Sequence, residues 1–237
     1  MMNRLTDVVK HLLIINVIMF IATRLPGLED IRPYLSLYYP LSDSFKPYQI
    51  VTHMFMHASP THLLFNMMSL FFLGPMIEQN LGSKRFFVFY IICGFSAMLL
   101  HLGIDTLAYT SIVDQLSPEN LAEVKESGQS LWESRRNWQG EMGEMNALLN
   151  TQMLGASGAI MGVFIAFALL YPDVKLMLIF PPIPIKAKYL MVGLVLFDLF
   201  SGMSGFKTGI AHFAHLGGAI AGFILITMWG KNYLFRK

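Results

Sequence analysis

Four polar residues interrupt apolar stretches of the sequence, and together they are the residue types that acyl transfer requires. Ser157 stands in the stretch GASG (155–158), and His215 lies in a later glycine-rich run. A serine hydroxyl becomes a good nucleophile when a neighbouring imidazole takes its proton. His62 and Asn66 are four positions apart and therefore share one face of a helix. Both could donate hydrogen bonds to a developing oxyanion.

Composition indicates the surroundings in which such a site would work. The 237 residues are 54% hydrophobic and only 14% charged, and the mean hydropathy is +0.53. These values are typical of an integral membrane protein rather than a soluble domain. The net charge of +2 argues against a nucleic-acid partner, which would require a strongly basic face. We therefore expect the lipid bilayer as the principal partner.

Apolar runs near the length of a membrane span predict an all-α polytopic membrane protein of a single domain, because spans of about 20 residues satisfy their own backbone hydrogen bonds. The six predicted spans cover residues 8–24, 60–79, 85–108, 152–171, 187–203 and 209–230. A polar, acid-rich insert at 109–150 separates the third span from the fourth. Its Trp132 and Trp138 are consistent with an amphipathic segment on the membrane surface or with a solvated loop.

Lysine and arginine residues predict the orientation. With the N-terminus inside, the inner flanks hold most of the basic residues, while the outer segments hold nearly all the acidic ones. The positive-inside rule then places both termini in the cytoplasm. In this topology spans two, four and six run from outside to inside, so Ser157, His215, His62 and Asn66 all fall in the outer third of the membrane.

Each polar residue also has a structural interpretation, but their shared depth favours a joint site. A serine in a membrane helix often only lets backbones approach, and His62 with Asn66 could be a buried hydrogen-bonded pair. Small-xxx-small faces occur on span four, at Gly158 and Gly162, and on span six, at Gly218 and Gly222. Packing through these faces would bring His215 beside Ser157.

The sequence predicts a dyad rather than a triad. Asp173 lies at the wrong end of span four, and Asp105 and Asp198 lie on spans three and five. We therefore expect a group other than aspartate to orient the imidazole of His215.

These motifs together resemble the rhomboid family of intramembrane serine proteases, in its basic six-helix bacterial form. The Gly-x-Ser-Gly motif appears at 155–158, His-x-x-x-Asn at 62–66, and Ala-His-x-x-Gly-x-x-x-Gly at 214–222. The resemblance covers residues 45–105 and 151–229. It implies a six-helix rhomboid-like bundle in the bacterial inner membrane, with a site that opens to the extracytoplasmic side.

The resemblance also implies a reaction. A Ser157–His215 dyad would cleave single-span or other transmembrane protein substrates. The Ser157 amide, His62 and Asn66 would form the oxyanion site, without a metal or cofactor. Two family features are missing: no Trp-Arg pair occurs in the first loop, and Met161 replaces the tyrosine that follows the serine by four positions.

Other functions remain open at this stage. A catalytically inactive rhomboid-like protein would bind client transmembrane helices, and a six-helix transporter would carry polar groups near the midplane. His53, His57 and His212 could form a metal cluster. Glycines around Met203 and Phe206 predict a mobile lid over the site at 201–211.

Overall fold

The computed structural model describes residues 5–25, 31–177, 182–204 and 209–229. Apart from a 3-10 turn at His53–Phe55 and a hairpin of β1 (Lys175–Met177) with β2 (Pro184–Lys186), the regular structure is α-helical. The helices are α1 (Asp7–Ala22), α2 (Ile31–Leu35), α3 (Gln49–Thr52), α4 (Pro60–Leu81), α5 (Ser83–Val113), α6 (Pro118–Glu133), α7 (Gly140–Asn150), α8 (Ser157–Leu170), α9 (Ala187–Met203) and α10 (His212–Trp229). The predicted all-α class is therefore confirmed.

Within the described residues, three helices are long and apolar enough to cross a membrane. These are α4, α5 and α10, and α8 is a shorter apolar helix of 14 residues. Large apolar side chains such as Phe72, Leu99 and Phe200 face outward, where lipid would cover them. Helices α1 and α9 have 16 and 17 residues, below the length of about 20 that spans a bilayer. The polytopic membrane fold is supported, and the count of six spans stays a prediction.

The second half of the bundle is built around α10, which packs chiefly against α5 and α8. A Cβ on Gly218 would overlap the carbonyl oxygen of Gly158, and a Cβ on Gly222 would lie 2.7 Å from the Cα of Gly162. The helices can approach this closely only because these positions carry no side chain. The predicted contact between the two glycine faces is confirmed.

The start of α1 is fixed to the end of α4 by a buried carboxylate. Glu78 accepts hydrogen bonds from the backbone amides of Val8 and Val9, at 3.1 and 2.9 Å, and from the hydroxyls of Thr6 and Ser83. These amides belong to the first turn of α1 and have no partner within that helix. The contact anchors α4, which carries His62 and Asn66 at its other end.

The segment predicted as a polar insert is largely helical. Helix α5 continues to Val113, past the predicted end of the third span, and α6 and α7 pack against each other beyond it. Ile112, Val124, Met145 and Leu149 form a small buried cluster with Tyr39 of the first loop. The insert therefore has its own apolar core, and the first loop completes it.

Close packing of α8 on α10 can be tested by Gly218→Ala. The added methyl has no room beside Gly158, so we expect the free energy of unfolding to fall by about 1–3 kcal/mol or more. Thermal unfolding in detergent would measure this loss.

Gly193→Ala is the matched control. Gly193 lies inside α9 with no atom within 4 Å of an added Cβ. Alanine should leave the stability unchanged or raise it by up to about 1 kcal/mol. Equal stability of the Gly218 and Gly193 variants would contradict the packing argument.

Candidate active site

Ser157 is the first residue of α8 and is held there by an extended segment. Met153 exchanges backbone hydrogen bonds with Leu37, at 2.8 and 2.9 Å, and the amide of Gly155 donates to the carbonyl of His53 at 2.9 Å. Gly155 has φ 125°, a conformation that side-chain-bearing residues rarely adopt. The chain can therefore turn sharply into α8 and present Ser157 at its start, where first-turn amides have no intrahelical partner.

His215 lies within hydrogen-bonding distance of Ser157. Its Nε2 is 3.0 Å from the Ser157 Oγ. His215 is in the first turn of α10. Gly218, which contacts α8, lies three residues further along the same helix. The expected proximity of these two residues is confirmed. Their distance matches that of a nucleophile and its general base.

The expectation that no aspartate lies near the imidazole is wrong. The Nδ1 of His215 lies 3.1 and 3.2 Å from the two carboxylate oxygens of Asp198. Helices α9 and α10 are neighbours in the chain and pack together. Asp198 is five residues from the end of α9 and His215 three residues into α10, so both lie within about 8 Å of that end of the bundle. From the sequence, this shared depth was the feature that could have predicted the contact between Asp198 and His215.

A second histidine contacts the same carboxylate. The Nδ1 of His212 lies 2.6 Å from Asp198 Oδ1, and both residues are buried. His212 was considered as a metal ligand from the sequence. Among the described residues, no group of three or more His, Cys, Asp or Glu side chains is arranged to hold a metal ion.

His62 faces the turn that precedes Ser157. The backbone amide of Ala58 donates to its Nδ1 at 3.4 Å, so in the neutral ring the proton resides on Nε2. This Nε2 and the Ser157 Oγ both lie within 4 Å of the position that a Cβ would take on Gly155. The Nε2–H group is therefore close to the serine hydroxyl and is a donor.

Asn66 lies one turn further along α4 and is supported by His57, which the sequence suggested as a metal ligand. Its Nδ2 donates to Nε2 of His57 at 3.0 Å. Burial, and then the nearby His62, lower the pKa of His57 to about 4. His57 is thus neutral at pH 7, which lets its Nε2 accept the bond. Asn66 lines the same cavity as Ser157 and His215.

Two cavities meet at Ser157. The larger, about 300 Å³, lies between α4, α8 and α9, and its lining includes Phe65, Met161, Phe164 and Phe197 besides the polar groups above. The smaller, about 20 Å³, lies on the other side of the serine between Met54, Gly94, Ala97, Gly158 and Ala214. The first is mostly apolar, and the second has room for about one water molecule or methyl group.

Part of the predicted lid falls outside the described residues. Residues 205–208, which include Phe206, are among those that the structure does not describe. Met203 is described and is largely exposed. The lid stays a prediction.

The chain is similar to known proteins over most of its length. The family model described as the Rhomboid domain matches residues 44–232. The chain is 28% identical over 176 residues to the rhomboid protease AarA of Providencia stuartii, covering 73% of this chain and 52% of that protein. It is 32% identical over 81 residues to the rhomboid protease GlpG of Klebsiella pneumoniae, covering 34% of this chain and 29% of that protein. The alignments thus span about half or less of these relatives.

The buried histidines beside the site predict how stability depends on pH. Burial lowers the pKa of both His53 and His57 to about 4, from an ordinary value near 6.5. Between these values the unfolded chain binds more protons than the folded one, so acid favours unfolding. We expect the free energy of unfolding to fall as the pH drops from about 6.5 to about 4. Thermal unfolding in detergent at a series of pH values measures this.

The double variant His53→Gln with His57→Gln is the control. Its unfolding midpoint should depend less steeply on pH in this window than that of the wild type, whatever its absolute stability. A wild-type midpoint that stays constant or rises on acidification would contradict the prediction.

Proposed function

The chain belongs to the rhomboid family, and on that premise we propose that it is an intramembrane serine endopeptidase. It would hydrolyse peptide bonds in or near transmembrane segments of other membrane proteins. Ser157 is the nucleophile and His215 the general base. The observation that carries this proposal is the 3.0 Å distance between Ser157 Oγ and His215 Nε2 inside an apolar bundle.

The surroundings of Ser157 support an oxyanion site. Three donors are available: the amides of the first turn of α8, the Nε2–H of His62, and the amide nitrogen of Asn66. One hydrogen of Asn66 Nδ2 is donated to His57, which leaves the other for a substrate oxygen. Such donors act strongly where water is scarce, and each typically contributes about 10²–10³ to the rate.

The reaction follows from these roles. Ser157 Oγ attacks the carbonyl carbon of the scissile bond while His215 Nε2 takes the hydroxyl proton, and the carbonyl oxygen becomes the oxyanion. When the tetrahedral intermediate collapses, the carbon–nitrogen bond breaks and His215 gives its proton to the leaving amine. Water, deprotonated by His215, then attacks the carbonyl carbon of the acyl-serine ester. The ester bond to Ser157 Oγ breaks, His215 returns the proton to Oγ, and the carboxylic acid product leaves. No metal or cofactor takes part in this scheme.

The larger cavity supports a substrate that is apolar on one side of the cleaved bond. It lies between α4 and α9 and is bordered by aromatic and aliphatic side chains. Phe65, Phe197 and Ile210 along it are all exposed or half-buried. An apolar segment of a membrane protein fits this lining better than a soluble peptide would.

The membrane setting of the proposal follows from charge and from the relatives. We infer that the protein spans a bacterial inner membrane six times with both termini in the cytoplasm, because the inner flanks are richer in lysine and arginine. Single-span or other transmembrane proteins are then the substrates, and the site opens to the extracytoplasmic side.

An inactive rhomboid-like protein that binds client helices is the alternative function. It would have no need of an imidazole held at hydrogen-bonding distance from a serine. The present geometry favours the protease for this reason.

Covalent labelling of Ser157 tests the proposal. The detergent-solubilised wild type should react with a fluorophosphonate probe and, after reconstitution into liposomes, cleave a single-span substrate. Ser157→Ala should lose both activities, because the hydroxyl is the atom that forms the covalent bond. His215→Ala should slow cleavage by about 10²–10⁴, and Asn66→Ala by about 10²–10³.

Ser127→Ala is the matched control, because Ser127 lies in α6, remote from α8 and α10 along the chain. It should label and cleave like the wild type. Cleavage by Ser157→Ala at the wild-type rate would contradict the mechanism, and a wild type that never labels would favour the client-binding alternative.

The smaller cavity predicts the size of the residue that precedes the cleaved bond. Because it holds about one methyl group, a substrate with alanine at this position should be cleaved faster than one with leucine, by about 10–200-fold in kcat/KM. Met54 borders this cavity at Gly94, so Met54→Ala should enlarge it and reduce the preference.

Met56→Ala provides the comparison. Met56 is equally buried but does not line the cavity. Its truncation should destabilise the protein by about 2–5 kcal/mol, as should that of Met54, without altering the preference for alanine. A leucine substrate cleaved as fast as the alanine one by the wild type would refute this reading of the cavity.

A further inference from the structure

Asp198 lies on the side of the His215 ring opposite the serine. Ser157 is 3.0 Å from Nε2, and the Asp198 carboxylate is 3.1 Å from Nδ1. We propose that Asp198 is a positioning residue for His215, held in place by His212. This inference rests on the proposed function, because it assigns a third member to the same site.

The hydrogen bonds determine which nitrogen of His215 carries the proton. Before reaction Nε2 must be unprotonated, so that it can accept the serine hydroxyl. In a neutral ring the proton then resides on Nδ1, which can donate to the Asp198 carboxylate. An aspartate at this position therefore selects the tautomer that catalysis needs, and it is a counter-charge for the imidazolium that forms after proton transfer.

His212 keeps the carboxylate in this position. Its Nδ1 donates to Oδ1 of Asp198 at 2.6 Å, and its ring stands edge-on to Phe197 with centroids 5.8 Å apart. His212 and His215 are three residues apart on α10 and so lie on one face. Rotation of the carboxylate away from His215 would break the bond to His212 as well.

The alternative is that Asp198 only joins α9 to α10, but this role explains fewer of its contacts. A simple tie between α9 and α10 would be complete with the bond to His212, which is the shorter of the two. The second bond instead joins Asp198 to Nδ1 of His215, the ring whose other nitrogen contacts Ser157. Asp198 is only 4% exposed, so water does not replace either donor readily and the carboxylate depends on both.

The test is the reactivity of Ser157 in Asp198→Asn. The amide has nearly the same shape but no negative charge, and its NH₂ group can donate to His215 Nδ1, which favours the wrong tautomer. We expect kcat to fall by about 100-fold or more with little change in KM. The rate of fluorophosphonate labelling should fall in parallel, because it requires no substrate helix to bind.

Two further variants should show smaller losses of activity than Asp198→Asn. Asp198→Glu keeps the charge and should retain more activity than Asp198→Asn. His212→Leu, whose side chain cannot donate to the carboxylate, should lower kcat by about 10-fold. Asp105→Asn is the matched control, because Asp105 lies on α5 and pairs with His101 instead of the site; its kcat and labelling rate should equal those of the wild type.

A measurement on the wild type covers the case in which Asp198→Asn does not fold. Nitrogen-15 NMR of histidine-labelled protein, assigned by comparison with His215→Gln, should show the proton of neutral His215 on Nδ1. A proton on Nε2 would overturn the proposal. So would wild-type kcat and labelling in a folded Asp198→Asn.

Failure of the protease proposal would look different. In that case the wild type itself would neither label at Ser157 nor cleave. If the wild type labels and cleaves and Asp198→Asn is equally active, only the role proposed for Asp198 is refuted, and the protease proposal stands.

Discussion

The close approach of α8 and α10 is the constraint on which the site depends. Ser157 and His215 belong to different helices, and each lies in the first turn of its helix. Helices that pack through ordinary side chains stand about 8–10 Å apart, and the serine and the imidazole are short groups. Directly below the pair, the backbone of Gly218 rests on that of Gly158. The glycines at the helix contact thus set the distance between the proposed nucleophile and its proposed base.

A second constraint is the pairing of most polar groups of the site with one another in apolar surroundings. On one side the hydrogen bonds run from Ser157 through His215 to Asp198 and His212. On the other side Asn66 bonds His57. A buried polar group without a partner is costly in a membrane, so each member stabilises the position of the next. The same bonds that order the side chains for chemistry also keep these groups tolerable inside the bundle.

Much of this arrangement could be predicted from the sequence, and the misses share a cause. The all-α class and the meeting of Ser157 with His215 followed from hydropathy and glycine spacing, because both depend on the order of residues along the chain and on their depth along each helix. Asp198 was missed because its contact depends on which helices are lateral neighbours. The packing of the insert's helices was missed for a related reason: their apolar cluster includes Tyr39 and Ile112, which lie outside the insert or at its edge. The count of six spans is untested because α1, α8 and α9 are short.

The shortness of α8 is compatible with the proposed hydrolytic site at membrane depth. Hydrolysis needs water, whereas an oxyanion site is strongest where water is excluded. Helix α8 has 14 residues and is about 21 Å long, less than the hydrocarbon thickness of about 30 Å. Its start can therefore lie below one membrane surface, and the non-helical residues 151–156 connect it to the polar insert. The free amides of a helix start, which would be a liability in lipid, then supply backbone donors where a substrate oxygen needs them.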